Sequence, residues 1–307
     1  MMIEPLNQLN LYGLDDYFNG LKILYEKRKL PNKILLTGEK GIGKFTLSLH
    51  LVNYILSLKE DYSYNIKDFK IDPNNKSFKL IKNNSSPNLY LIDIMKDKRN
   101  IEINQIRELN DFCNKSSLND KPRFILIDNL EFMNLNSNNA LLRTLEDSNN
   151  EIYFILISNS KKILSTIKSR CLNYRINLSQ KECFKIFEKI TKKNIETLIN
   201  NDLISHYFST GDLINLYNFS IENNVNLKNI NLKDFLIQII DKNYYKKELL
   251  NKKLIYSFIQ MYYLKKVNKK PDYDFYTKII ESIENINRYN LDIESLFIQL
   301  RHQLTND

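Results

Sequence analysis

The chain has 307 residues and a formal net charge of +9 at pH 7, long enough for two or three folding units and basic enough to suit an acidic partner such as nucleic acid. Abundant Lys, Asn and Ile with little Gly and Pro is also what low genomic G+C content produces, and no compact block of like charge marks a basic arm, so charge alone assigns no DNA-reading surface. Cys113, Cys171 and Cys183 are odd in number and form no Cys-x-x-Cys pair, while His50, His206 and His302 are isolated, which argues against a disulfide framework and suggests no metal site.

In chain order, residues 1–10 lack the basic start and apolar core of a signal peptide, and no later run approaches a membrane span. A soluble, cytoplasmic chain with no membrane contact is expected. Residues 14–29 carry Leu14, Phe18, Leu21, Ile23, Leu24 and Tyr25 near helical spacing, and Leu30-Pro31-Asn32 ends that helix. An aliphatic strand at 33–37 runs into Gly38-Glu-Lys-Gly-Ile-Gly-Lys-Phe-Thr46. An apolar-rich helix beginning at Leu47 follows, with Leu47, Leu51, Tyr54, Ile55 and Leu58 on one face.

Strand, loop and helix, with Gly38, Gly43 and Lys44 in the spacing Gly-x-x-x-x-Gly-Lys and Gly41 between them, make a phosphate loop. Its glycines let backbone N–H groups wrap a phosphate, and the lysine reaches the outer oxygens. The next position breaks the pattern. A hydrolysing loop places a Ser or Thr hydroxyl on Mg²⁺ there, but this chain has Phe45. Thr46 comes one residue late, about 100° further round the helix, and is expected to point away from the metal position.

His50, beside the apolar stripe, is read as a packed or half-exposed side chain rather than a ligand. Residues 60–87, rich in Lys, Asn, Asp and Ser, are read as a long surface excursion. A strand at 89–93 precedes a helix opening at Ile101, with Ile103, Ile106, Leu109, Asn110 and Cys113 along one side, which makes Cys113 a small core residue. Phe124-Ile-Leu-Ile-Asp128 has the pattern of a buried parallel strand whose C-terminal end faces a ligand. Asp128 either holds the water shell of Mg²⁺ or merely begins a turn. Asn129 stands where a water-activating Glu usually follows, and Glu131 is expected to face elsewhere. Asn136 or Ser137 should cap a helix carrying Ala140, Leu141, Leu142 and Leu145. A strand at 153–157 ends in Ser158-Asn159, whose side chains either touch a γ-phosphate or only start a loop. A helical turn at 163–167 leads to Ser169-Arg170-Cys171 and a last strand at 172–176.

After residue 178 the pattern changes. Segments 181–192, 195–208, 212–222, 232–241, 246–267, 274–288 and 293–304 read as helices without strand alternation. The expected fold is an α/β phosphate-loop domain with a parallel sheet, followed by an all-α remainder.

Four segments together resemble one family. Gly38-Glu-Lys-Gly-Ile-Gly-Lys-Phe-Thr46, Ile103-Asn-Gln-Ile-Arg107, Asn138-Asn-Ala-Leu-Leu-Arg-Thr-Leu-Glu146 and Thr166-Ile-Lys-Ser-Arg-Cys171 stand in the order and spacing of bacterial clamp-loader AAA+ subunits. The match looks best to the delta-prime family of DNA polymerase III. The resemblance covers residues 5–180 strongly and the remainder weakly, although 290–296 looks like the family's last helix. It implies an AAA+ (RecA-like) nucleotide-binding domain at 1–178, a helical lid at 179–222 and an all-α collar at 223–307 that joins subunits into a ring. It also implies partners: the gamma/tau and delta subunits, the sliding clamp and, through the assembled complex, primed DNA.

By the same resemblance, Arg170 of Ser-Arg-Cys reaches the nucleotide of a neighbouring subunit and acts there catalytically, in trans. A guanidinium suits the task because it stays charged and grips two phosphate oxygens at once. The lysine-rich chain has only nine arginines, which fits a planar fork being wanted here. Read from the residues alone, Arg170 equally caps the helical turn before it and pairs with a surface carboxylate.

Phe45, Asn129 and the arginine-free segment Asp212-Leu-Ile-Asn-Leu216, where a lid would point an arginine at γ-phosphate, depart from an active AAA+ ATPase. Together they predict a mainly structural subunit with little or no ATPase activity of its own. Its loop residues Gly38, Gly41, Gly43, Lys44 and Thr46, with Asp128, can hold ATP or ADP without hydrolysing it. The relatives' zinc-binding cysteines would fall within 60–87, where this chain has none, so no zinc is expected. Two other readings compete. One is an independently active P-loop ATPase of the helicase-loader or branch-migration type, motivated by Gly43-Lys44 and Asp128. The other is a stand-alone DNA-binding protein, resting on net charge.

Overall fold

The structure is a computed structural model that describes residues 5–95, 98–148, 151–159, 163–247, 250, 252–266, 270–289 and 293–306. The chain forms two compact units, Met1–Glu182 and Cys183–Asp307.

In the first unit, β1 (Lys33–Thr37), β2 (Leu89–Ile92), β3 (Arg123–Ile127), β4 (Ile152–Ser158) and β5 (Leu172–Arg175) form one parallel sheet in the order β2-β3-β4-β1-β5. Successive strand residues point to opposite faces, so each aliphatic run feeds two cores. Ile34, Leu36, Phe124, Leu126, Ile155 and Ile157 pack with Phe18 and Leu21 of α1 (Asp15–Glu26), Leu47, Leu51 and Ile55 of α2 (Lys44–Ser57), and Phe78 and Ile81 of α3 (Lys76–Lys82). Leu35, Ile125, Ile127, Phe154 and Leu156 pack on the other face with α4 (Ile103–Asn114), α5 (Leu135–Asp147) and Ile167 of α6 (Ser165–Lys168). The crossover that leaves β1 runs to the far edge at β2, and later strands return to both sides of β1. The C-terminal end of β1 therefore lies where open α/β sheets bind ligands.

The sheet follows the aliphatic runs closely, but several local expectations need correction. Helix α2 starts at Lys44 rather than Leu47, because Gly43 takes a left-handed φ of +93° at its N-cap and lets the helix rise directly from the loop. Leu58 is the C-cap residue and is exposed rather than on the buried face. Residues 60–87 are more than a surface excursion: they contain α3 and bury Tyr64, Ile71, Phe78 and Ile81. Their polar side chains bond inward. Asn75 accepts the Phe78 N–H (2.7 Å) and the Asn53 amide (3.0 Å), and Glu60 accepts the Ser77 hydroxyl (2.6 Å). The N-cap of α5 is Asn134, which accepts the Ser137 N–H at 2.8 Å, earlier than either expected residue.

The second unit is helical, with α7 (Gln180–Thr191) entering it and α8 (Ile195–Leu198), α9 (Thr210–Glu222), α10 (Leu232–Asp241), α11 (Lys252–Lys266), α12 (Lys270–Tyr289) and α13 (Glu294–Asn306) following. Segment 195–208 is not one helix. Asn194 and Asn200 each cap a new short turn, giving α8 and a 3-10 turn at Asn201–Leu203. Segment 246–267 likewise yields α11 only from Lys252, after a 3-10 turn at Tyr244–Lys246. A single hydrophobic cluster runs from Phe187 to Leu304, with Phe219 edge-on to Phe235 (6.2 Å) and to Tyr244 (4.9 Å). Of the family-like segment 290–296, residues 290–292 lie outside the described residues, as do residues 1–4 of the N-terminal stretch. Among the described residues no helix is long and apolar enough to cross a membrane.

His50 is fully buried on α2, its Nδ1 2.9 Å from the Tyr64 hydroxyl and its Nε2 3.2 Å from the Gln8 carbonyl oxygen. Burial pushes its pKa down to about 4, and the backbone bond at Gln8 opposes that shift only in part. An unfolded imidazole titrates near about 6.5, so as pH falls from 6.5 towards 4 the unfolded chain takes up the proton first. The stability tied to neutral His50 is fully present above about pH 6.5 and falls by up to about 3 kcal/mol on acidification to pH 4. Urea melts at pH 7.5 and 4.5 should show this loss in the wild type and a flatter profile in His50→Asn.

Candidate functional site

The site is built where β1 stops. The Thr37 carbonyl accepts the Ile176 N–H at 2.8 Å, and the loop then runs from Gly38 straight into α2. Gly38, Gly41 and Gly43 have φ of +152°, +86° and +93°. A Cβ on Gly38 would lie 2.3 Å from the Ile176 carbonyl oxygen, so close approach as well as backbone conformation demands glycine there. The loop delivers the first turn of α2, whose leading N–H groups have no partner within the helix and suit an anion. Lys44, the first residue of α2, is buried, and its ammonium donates to the Gly38 (2.8 Å) and Glu39 (2.5 Å) carbonyl oxygens. The loop's own neutral carbonyls hold the charge that would otherwise meet phosphate oxygens. Phe45 packs its ring against the core of α1 and α2, so an apolar contact replaces the metal-binding hydroxyl. Thr46 follows it in the first turn, half-buried.

The other strand ends supply a polar chain. Asn129, at a left-handed φ of +55°, donates its amide to Asp93 Oδ1 at 2.7 Å and accepts the Asn159 amide at 3.0 Å. Glu131 does not face elsewhere. Its Oε2 accepts the Ser158 hydroxyl and the Asn159 N–H, both at 3.1 Å, because the turn at Asn129 and the 3-10 turn Leu130–Phe132 bring it back over the end of β4. Sequence spacing missed Glu131 and Asn159 as partners. The available signal was Asn129, a residue type that tolerates left-handed backbone and so reverses the chain after a strand.

Asp128 sits beside this chain and accepts the Asn129 N–H at 2.8 Å. Burial pushes its pKa up to about 6. The Asn129 N–H opposes that shift, Asp93 adds to it, Lys44 opposes it, and Glu131 adds a little more. Lys44 and Asp128 therefore share one site, as a phosphate loop and its partner strand should.

Arg170 lies elsewhere. Leu172 pairs with Ile34 in the sheet, so Arg170 precedes the N-terminal end of β5 while Gly38 follows the C-terminal end of β1. At about 3.3 Å per residue the two are on the order of 20 Å apart along the strands. Arg170 is exposed, and the simpler partners are both present. Its Nε donates to Glu146 Oε1 at 2.8 Å and its Nη2 to the same oxygen, while Nη1 donates to the Thr166 carbonyl at 2.9 Å. Burial pushes the thiol of Cys171 beside it up to about 11.

Residues 14–180, more than half of the chain, match the family model described as DNA polymerase III, delta subunit. The chain belongs to that family, as a delta-prime-like clamp-loader member. A DNA polymerase III subunit delta' from Buchnera aphidicola subsp. Schizaphis graminum is 30% identical over 187 residues, covering 58% of this chain and 55% of the relative. A DNA polymerase III subunit gamma from the same organism is 35% identical over 137 residues, covering 42% and 38%. The matches thus span about half or less of those relatives' lengths. Among solved structures, a DNA polymerase III gamma subunit-related protein from Thermotoga maritima aligns over 92% of this chain and 98% of its own, at 15% identity and a TM-score of 0.47. The family match over residues 14–180 falls on the parallel-sheet phosphate-loop unit.

The raised pKa of Asp128 carries a stability prediction. Its folded form favours the protonated acid, so this contribution is fully present below about pH 4 and is lost as pH rises through 6. Asp128→Asn keeps an acceptor oxygen for the Asn129 N–H and removes the buried charge. It should raise stability at pH 7.5 by about 2 kcal/mol, a gain that fades in urea melts below pH 4.

Proposed function

We propose that this clamp-loader family member works as a delta-prime-type subunit of DNA polymerase III. In this reading it is a mainly structural AAA+ subunit that helps load the sliding clamp on primed DNA and lends Arg170 to a neighbouring subunit's nucleotide. The observation that carries the reading is the separation of Arg170 from its own phosphate loop, at opposite ends of the same sheet. An exposed guanidinium there cannot serve Gly38 and Lys44, but it can serve a loop docked against that edge. Its partners would be the gamma/tau and delta subunits, with the clamp and primed DNA met through the assembled complex in the cytoplasm. The proposed organisation is a nucleotide-binding domain at 1–178, a lid at 179–222 and a collar at 223–307.

The site at Gly38, Gly41, Gly43, Lys44, Thr46 and Asp128 fits a nucleotide's phosphates. A Cβ on Gly38 would strike the Ile176 carbonyl oxygen, so only glycine lets the loop pass there, and Lys44 is a buried cation bonded to the loop's own carbonyls. A bound ATP or ADP would supply the triphosphate or diphosphate for these groups to grip. This chain's residues then orient it: the loop N–H groups and Lys44 hold charge, and Asp128 faces the same space. Asn129, with an amide tied to Asp93 and Asn159, has no carboxylate to take a proton from water. Holding without turnover is the proposed role of this site.

The reconstituted loader supplies the test. The purified chain alone should hydrolyse ATP negligibly. Arg170→Ala should slow hydrolysis at the adjoining site on the order of 10³-fold, with a smaller fall in loader-wide, DNA-stimulated ATPase if other sites still fire. Full activity with Arg170→Ala would remove the role assigned to it. A second reading, an independently active P-loop ATPase, is favoured only by the meeting of Lys44 and Asp128. It requires Mg²⁺-dependent turnover by the purified chain that Lys44→Ala abolishes.

A further inference from the structure

We propose that Glu146 is a positioning residue for Arg170, holding the guanidinium by one edge so that its end-on fork is presented outward to a neighbouring subunit's phosphates. The inference rests on the trans role of Arg170 proposed above and adds the group that sets its geometry.

A guanidinium has five N–H donors in a fixed plane. Nε and Nη2 present one edge, and both donate to Glu146 Oε1. Nη1 donates backward to the Thr166 carbonyl at 2.9 Å, anchoring the plane to the last turn of α6. Among the described residues these bonds use three of the five donors; the other two, one on Nη1 and one on Nη2, lie side by side at the tip. That pair is the fork that can grip two oxygens of a phosphate. Glu146 and Thr166 thus hold the sides of the group and leave its working end available.

The location of Glu146 also calls for a partner. It lies in the last turn of α5, where exposed carbonyls make a carboxylate unfavourable, and Asp147 follows it. Helix α5 is itself fixed, because Thr144 donates to Asn110 on α4 at 2.6 Å and buried Leu141 and Leu145 pack on the sheet. A rigid helix therefore delivers the carboxylate that fixes a long, otherwise mobile side chain. The segment Asn138-Asn-Ala-Leu-Leu-Arg-Thr-Leu-Glu146 and the segment Ser169-Arg170-Cys171 meet at this ion pair. Misplacing a reacting group by about 1 Å can cost ~100-fold in rate. An exposed pair limits the side chain's wandering less completely than a buried one would, so a smaller effect is expected.

In a loader rebuilt with Glu146→Ala, kcat for DNA-stimulated ATP hydrolysis should fall about five- to tenfold while KM for ATP stays within about twofold. Glu146→Gln, which keeps an acceptor oxygen, should restore most of the rate. Glu146→Ala combined with Arg170→Ala should be no slower than Arg170→Ala alone, since the carboxylate acts only through the arginine. An undiminished kcat in Glu146→Ala would overturn the proposal, as would a double variant that falls below Arg170→Ala by the full factor of the single change. On the free full-length chain, the Arg170 Nε–H resonance should be rigid in the wild type and motionally averaged in Glu146→Ala. An unaltered resonance refutes the positioning claim whatever the loader does. Undiminished ATPase activity in the Arg170→Ala loader beside an altered resonance instead refutes the trans role, and with it the claim that the pair serves ATP turnover.

Discussion

The C-terminal end of β1 is held from both sides, and most of the first unit depends on that. Thr37 is in register with Ser158 of β4, its carbonyl takes the Ile176 N–H, and the next residue packs so close to Ile176 that only glycine fits. With both flanks tied by parallel ladders, the chain leaves the sheet in one direction only. Gly38 and Gly43 then absorb the unusual backbone angles and α2 begins at once. The position of Lys44 is a consequence of the sheet, not of any ligand. Phe45 adds apolar packing to the core that holds the helix, so the loop's shape is supported from the fold's own side.

The same separation of framework from chemistry recurs at the other strand ends. Asn129 cannot activate water, yet it is not idle: it links Asp93 on one side to Asn159 on the other. Glu131 gathers the Ser158 hydroxyl and the Asn159 N–H, so the polar groups at the ends of β2, β3 and β4 satisfy one another. Hydrogen bonds to a charged group contribute roughly 1.5–3 kcal/mol each when partly buried. Such a network therefore gains stability from the residues that depart from the catalytic pattern. Asp128 is the exception, a buried carboxylate beside other acids, which works against stability when it is charged.

How far the sequence alone disclosed this follows from which forces set each feature. The five strands were legible because buried parallel strands are continuous aliphatic runs, and the phosphate loop because its glycines answer to backbone geometry. Residues 60–87 were misread because composition reports solvation on average, whereas Asn75 takes the Asn53 amide and the Phe78 N–H, and Glu60 takes the Ser77 hydroxyl, inside the fold. Segment 195–208 was misread as a helix because its apolar residues keep helical spacing while Asn194 and Asn200 compete for the backbone and restart the chain. Asn134 was passed over as a cap for the same reason: the choice among neighbouring Asn and Ser residues depends on which N–H the tertiary fold leaves without a partner. The positions of Lys44 at the start of α2 and Asp128 just after β3 were legible from their spacing to strand ends. The turn of Glu131 was not, because one left-handed residue decides it.

The proposed lid shows the same commitment of polar groups to the fold. Asp212, where an active lid would carry an arginine nearby, is buried at the start of α9 and accepts the Ser209 N–H (3.1 Å), the Ser209 hydroxyl (2.9 Å) and the Lys253 ammonium of α11 (3.0 Å). A carboxylate that caps its own helix and pairs with a second one strengthens its unit, but it offers nothing to a γ-phosphate. Asn129 and Asp212 are thus both tied into the folds of their own units. Arg170 contrasts with both. It is exposed, held at its sides by groups of its own unit, and carries two donors beyond those bonds. A surface ion pair of this kind contributes only about 0–1 kcal/mol to stability, so the bonds to Glu146 and Thr166 orient the group more than they hold the fold together.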